Sequence, residues 1–409
     1  MSAAWFPALG DRQVRVYLAG QFVSMLGSWM LDITLNLLVW QQTHSPALLG
    51  VLNFVLYGPG VIVTPVLGAR LSTANARRIT LTVLAAAACV AVLLLASALA
   101  HWLPLPLLFG AALARGVLGG MEVPSRQMLL THISAEPAQL SSAIALNTVA
   151  FLLARTLGPG IAALMFEPLG PVWAFGLAAL ATGFMLVCVS RLRVHAGHET
   201  RGARGGGMGA AWRFLRNDSL GSLLLPVVTC VAVCVSAYQT LIPVLAGNVY
   251  GDAARWTGRF FAAAGVGALL AAVLLSSRHI DPLVRRLLLV VPWSGVLALA
   301  VLGFTTQPLL ALASFAVLGF CTSFVGTGTN TMLHRRVPPE ARGGLIGLFL
   351  LAFNGAMPVG QLMAGTVANH LSVASTLYLL AALLAAGLLL LCGRRWRALG
   401  RVEWDPFKV

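Results

Sequence analysis

The chain has 409 residues, of which 58% are hydrophobic and 10% charged, against about 45–50% and about 25% in soluble globular chains. Twelve spans of roughly 20 residues need about 240 apolar positions, which 58% of 409 nearly supplies. A soluble enzyme, a disulfide scaffold, a disordered chain and a single-span receptor are excluded. The formal charge of +15 reads as a membrane face and not as a nucleic-acid footprint, because the basic residues form short clusters between apolar runs.

Asp11, Arg12 and Arg15 lead into an apolar stretch too long for the core of a secretory signal. Apolar runs between polar breaks then predict spans at 14–41, 47–69, 79–100, 104–124, 139–165 and 171–190. A Gly- and Arg-rich connection over 191–218 reads as a flexible cytoplasmic linker. Its end, Trp212-Arg213-Phe214-Leu215-Arg216, forms either a short amphipathic turn in the interface or an ordinary juxtamembrane anchor. Further spans follow at 219–246, 255–277, 285–304, 308–329, 343–368 and 373–393. The expected fold class is an all-α membrane protein of about twelve transmembrane helices. Its two six-helix halves are residues 1–190 and 219–409, joined by the linker.

A shift of 204 positions aligns Met128-Leu129 with Met332-Leu333, Ile133 with Val337 and Glu136 with Glu340. Both stretches lie after the fourth span of their half, as a duplication would place them. With the N-terminus inside, all but four of the 27 Lys and Arg residues fall in cytoplasmic segments, Arg126 among them. Arg255 and Arg259 fall outside, and Arg115 and Arg155 lie within spans. Both termini are therefore expected in the cytoplasm.

Charges inside the apolar slab are costly, so each is a candidate for function. They are Asp32 in the first span, Arg115 and Glu122 in the fourth and Arg155 in the fifth. At about 1.5 Å per residue, Asp32, Arg115 and Arg155 lie at similar depth and should share a polar interior. Asp32 is either a carboxylate that exchanges a proton as access changes or one side of a fixed ion pair. Burial favours the neutral acid and a nearby guanidinium the ionised one, so an Arg that approaches and withdraws would switch it. Arg115 and Arg155 do not titrate and are partners or anion ligands. Glu122 pairs with Arg126 one helical turn on.

The uncharged residues Asn36, Asn53, Asn147, Gln239, Asn330, Asn354 and Gln361 recur within spans, either facing a cavity or bonding between helices. Trp29, Trp40, Tyr57, Phe151 and Tyr238 stack on a ligand or pack in the core. The six cysteines all fall in apolar runs and act as small hydrophobes. His195, His198 and Glu199 form a polar cluster in the linker, a weak pattern for a metal. No metal or cofactor is expected.

The fourth span reads Arg115-Gly116-Val117-Leu118-Gly119-Gly120, which resembles the Arg-x-x-x-Gly signature of the major facilitator superfamily. The fifth contains Ala154, Gly158, Pro159, Ala162 and Ala163 in the spacing that resembles the antiporter signature of that superfamily's exporters. Small residues let helices approach, and a proline bends them. The loop after the second span, with Gly68, Arg77 and Arg78, resembles the superfamily's gating loop. It departs where Ser72 and Thr73 stand in place of an acidic residue and an Arg.

The resemblance covers nearly the whole chain and lies toward the branch of enterobactin-type siderophore exporters and macrolide efflux proteins. It implies proton-coupled export of a small organic molecule at a bacterial inner membrane. Asp32, Arg115 and Glu122 would be the coupling residues. The cavity candidates are Arg115, Arg155, Asn36, Asn147, Tyr238, Gln239 and Asn354. A siderophore is the first choice of substrate, an antibiotic or another metabolite the alternative. The implied partners are the lipid bilayer, protons and the substrate, with the chain a monomer.

The rival classes are a membrane enzyme, a channel and a sensor without transport. No Ser/His/Asp grouping, metal cluster or repeated filter loop favours the first two.

The charge asymmetry makes a direct prediction. In a cysteine-free background, cysteines at His101 or Asn369 should react with impermeant thiol reagents from outside, and those at Ser72 or Gly206 only from inside. The reverse labelling pattern would discard this orientation.

Overall fold

The computed structural model describes residues 7–68, 71–134, 136–192, 208–218, 220–276, 281–338 and 342–399. After a short 3-10 turn, α1 (Arg12–Thr43) begins where the Asp11 carboxylate accepts from the backbone N–H of Gln13 and Val14, an acidic N-cap. Four more helices follow: α2 (Pro46–Gly68), α3 (Thr73–Leu99), α4 (Leu105–Ile133) and α5 (Pro137–Ser190). At 54 residues, α5 would be about 80 Å long if straight, far more than a bilayer core of about 30 Å. It turns at Gly170 (φ 69°), between Pro168 and Pro171, and so makes two crossings. The expected break between 165 and 171 is this turn.

The second set is α6 (Met208–Asn217), α7 (Gly221–Cys234), α8 (Tyr238–Tyr250), α9 (Ala253–Ser276), α10 (Asp281–Phe304) and α11 (Pro308–Arg336). It ends with α12 (Arg342–Phe349), α13 (Ala356–His370) and α14 (Val373–Leu399). Among the described residues, eleven helical stretches are long and apolar enough to cross a membrane. Counting α5 twice gives twelve passes, and the protein is an all-α, multi-pass membrane protein.

Three boundaries differ from expectation. First, α4 passes the expected end at 124 and runs to Ile133 with Pro124 inside it. Arg126 is therefore no loop residue: it sits in the helix, 4% exposed. Second, the span expected at 219–246 is broken between Cys234 and Tyr238. Third, the span expected at 343–368 contains a π-helical segment, Leu350–Gly355, between α12 and α13. Most of the linker, with His195, His198 and Glu199, lies outside the described residues, as do Ala69 and Arg70 of the expected gating loop. The amphipathic stretch is a helix, α6, which packs on α12. It buries Ala211 and Leu215 and exposes Trp212, Arg213 and Arg216.

Glycine sets the closest helix crossings. On α4, a Cβ at Gly116 would overlap the Val55 and Leu56 carbonyl oxygens of α2; on α11, one at Gly319 would overlap the Ala264 carbonyl of α9. These two glycines stand 203 positions apart, on helices of 29 residues each. Gly120 against Gly60, and Gly267 against Ala316, extend the same two crossings. Without a hydrophobic drive between helices in lipid, such backbone approach is a main source of association.

Gly319→Ala should lower the unfolding midpoint in detergent, at a cost of about 1–3 kcal/mol for overpacking. Gly110→Ala, where a Cβ meets nothing within 4 Å, should not. Equal midpoints for the two variants would contradict this reading of the α9–α11 crossing.

Candidate transport cavity

A cavity of about 900 Å³ opens among α1, α2, α4 and α5 on one side and α8, α9, α11 and α13 on the other. Its wall runs from Asp32 back to Tyr17 on α1, from Arg115 on to Leu130 on α4, and from Thr322 to Thr331 on α11. It therefore extends toward the end that carries the α4–α5 turn. The opposite end is closed by contacts between the first and last sets of spans. Asn53 donates to Thr240 Oγ1 at 3.2 Å, and Ser45 to Asn369 at 3.1 Å. Gly365 leaves no room for a Cβ against Gly50, and Gly247 none against the Trp40 indole.

Asp32, Arg115, Glu122 and Arg155 all line this cavity. Arg115 donates to Asp32 from Nη2 at 3.1 Å and from Nε at 3.4 Å. Both bonds reach Oδ1, so Oδ2 keeps its lone pairs for a proton or another donor. Glu122 meets Arg126 as their spacing predicts, but deep in the helix. The Arg126 guanidinium also donates to Gln21 Oε1 and Ser24 Oγ, each at 2.9 Å, and Tyr17 donates to its carbonyl. Sequence reading missed this second polar cluster because Arg126 follows Pro124 and Ser125 and precedes Gln127, the usual pattern of a loop. Arg155 makes no ion pair or hydrogen bond to a described residue; its guanidinium lies 5.8 Å from the centre of the Trp29 ring.

The uncharged candidates divide. Asn147, Gln239 and Asn354 line the cavity, as does Gln361. Gln361 donates to Gln239 Oε1 at 3.0 Å. Asn354 lies in the π-helical segment and Gln239 just past the break between α7 and α8. Two expectations are corrected. Asn36 is outside the cavity wall: it donates to the Asp32 carbonyl at 2.9 Å and exchanges amide bonds with Asn53. Tyr238 is 2% exposed and packs on Phe315, ring centres 6.0 Å apart, where core packing wins over ligand stacking.

A mostly apolar cavity between the two sets of helices, with two ion pairs on its wall, is the arrangement of a carrier. The family model described as transmembrane secretion effector matches residues 2–407. The chain belongs to that family, within the major facilitator superfamily. It is a membrane transporter and not an enzyme. An enterobactin exporter, EntS, of Citrobacter koseri is 27% identical over 82% of this chain and 80% of the relative. A staphyloferrin A transporter of Staphylococcus aureus is 20% identical over 88% of this chain and 91% of the relative. The solved nucleoside transporter NupG shares the fold, with a TM-score of 0.69 at 13% identity over 96% of this chain and all of that one.

Within this transporter, the antiporter-like residues occupy a seam. Gly158 abuts Trp29 and the Leu26 carbonyl of α1, while Ala154, Ala162 and Ala163 are buried. Ala163 meets Gly258 of α9, and Thr156 fills the space beside Gly265. Pro159 lies inside α5 without ending it. In the gating-loop region, Gly68 ends α2 and Arg78 is exposed. Arg77 donates to the Ser190 carbonyl at 2.6 Å, a cation at the C-terminus of α5 where the helix dipole favours one.

Arg126→Met should destabilise the detergent-solubilised transporter by about 3 kcal/mol, since it leaves Glu122 without its cation. Adding Glu122→Gln should recover most of the loss. Recovery of nothing in the double variant would mean that the bonds to Gln21 and Ser24 carry the effect.

Proposed function

We propose that this transporter exports a siderophore-type iron chelator in exchange for protons, by alternating access across a bacterial inner membrane with both termini cytoplasmic. The observation that carries the reading is the Asp32–Arg115 pair at the cavity's closed end, held through one carboxylate oxygen. The open Oδ2 of Asp32 would accept either a proton or an O–H or N–H of the substrate. The two would then compete for one oxygen, and binding substrate would release the proton. The names of the two relatives supply the substrate class, and the interior arginines and amides suit a ligand rich in oxygen atoms.

The same orientation makes the cavity inward-facing, ready to load from the cytoplasm. Asn147, Gln239 and Asn354 are then candidate substrate ligands, with Arg115 and Arg155. Glu122, tied to Arg126, is the second candidate for the coupling acid. The residues 1–190 and 219–409 would rock about the cavity as two bodies joined by 191–218, in a monomer.

Deleting the gene should lower extracellular chelator and raise its cellular level. Restoring the wild type should reverse both changes, Arg115→Lys in part, because the planar fork is lost, and Asp32→Asn not at all. Purified wild type should release protons on binding substrate while Asp32→Asn should not. Equal release would clear Asp32 and point to Glu122. Unchanged secretion with raised antibiotic sensitivity would replace the siderophore by a drug.

A further inference from the structure

We infer that Arg155, Trp29 and Phe151 form a subsite for a planar aromatic anion, a ring bearing a carboxylate or an ionised phenol. This deepens the export reading by naming the part of the substrate that is gripped.

The argument begins with charge. Three guanidinium groups line the cavity, Arg115, Arg126 and Arg155, against two carboxylates, Asp32 and Glu122. The carboxylates are taken: Asp32 binds Arg115 and Glu122 binds Arg126. Arg155 has no carboxylate partner among the described residues; its guanidinium lies over the Trp29 ring. A cation on the wall of a membrane cavity without a carboxylate is a place for an anion that arrives with the ligand. Its forked donors suit a carboxylate or a pair of adjacent oxygen atoms.

The second observation is aromatic. Trp29 and Phe151 both line the cavity beside Arg155, their ring centres 6.3 Å apart and 63° from coplanar. Phe151 and Arg155 are one turn apart on α5 and share its inward face. Gly158 lets α1 and α5 approach at Trp29, because a side chain there would strike the Trp29 Cβ. The small residue of the antiporter-like stretch thus brings the tryptophan to the face of α5 that carries Arg155. A ring edge-on or offset against such faces gains contact energy beyond its buried area. An aliphatic anion would gain only the ionic contact.

The test uses purified full-length transporter in detergent and radiolabelled salicylate as the probe. Salicylate should bind saturably, and its neutral isostere salicylamide should compete at least tenfold less well. Acetate, an anion without a ring, should not compete. Arg155→Gln should weaken salicylate binding at least tenfold, with Arg155→Lys intermediate. Trp29→Leu should weaken it about fivefold, the loss expected of roughly 1 kcal/mol of ring contact.

Salicylamide binding as tightly as salicylate in the wild type would overturn the subsite, and that comparison needs no variant to fold. Wild-type affinity in a folded Arg155→Gln protein would overturn it as well. Salicylate binding through Arg155, in a transporter whose deletion leaves chelator secretion unchanged, would keep the subsite and remove the siderophore.

Discussion

A hydrocarbon slab offers an ionised side chain no partner, and the contact between Asp32 and Arg115 meets that constraint. Once those residues are fixed at mid-depth, the faces of α1 and α4 that carry them must turn inward. The polar residues farther along the same helices then share one cavity. Arg126, Glu122, Gln21 and Ser24 extend the wall toward one end of the bundle. The later helices answer with neutral groups. The α11 residues on the cavity wall, Thr322, Ser323, Gly326, Thr327 and Thr331, carry no charge. Ionic chemistry therefore belongs to the first six passes, while the last six supply amides and shape.

Those amides appear where the backbone is irregular. Gln239 follows the break between α7 and α8, and Asn354 sits in the π-helical segment before α13. Irregular hydrogen bonding at membrane depth is tolerated where it lines a cavity or is enclosed by protein, and a π-bulge re-aims the side chains of its turn. Two neighbouring elements of the second set are thus loosened at the level where a ligand would lie. Gln239 and Gln361 join them through one amide bond. Gly360 lets α13 approach the Val233 carbonyl of α7, so the loosened region is held against a close backbone contact.

Hydropathy made the passes legible because the hydrocarbon thickness sets their length, and only regular helices satisfy every backbone group there. The same rule hid the departures. The break at 235–237 and the π segment contain apolar residues indistinguishable from helix by composition. The cavity charges were legible for the same reason of cost. Arg126 was not, since a cation near a span end reads as a loop anchor until its helix is seen to continue. Asn36 and Tyr238 could not be separated from Asn147 and Gln239 by sequence, because rotation about the helix axis decides which of them meets the cavity. That rotation follows from glycine contacts distant in sequence, such as Gly27 against Ala178 and Ala181. The duplication left little identity but a clear spatial mark, the paired crossings at Gly116 and Gly319.

The closed end of the cavity is built from neutral contacts. Trp40 lies in the notch at Gly247, Gly50 faces Gly365, and the remaining bonds join Asn53 to Thr240 and Ser45 to Asn369. Neutral hydrogen bonds exchange for water at a net change of only about 0.5–1.5 kcal/mol each. A movement that opened this end would separate glycine surfaces and a few amides, and would strand no charge. The cavity's two ion pairs, by contrast, each join residues within the first six passes. They would travel together through such a movement, so in the proposed antiport any coupling between access and protonation would come through what enters the cavity between the two sets of helices. Arg155, beside the α5–α9 seam and without a carboxylate of its own, stands where that coupling would be felt.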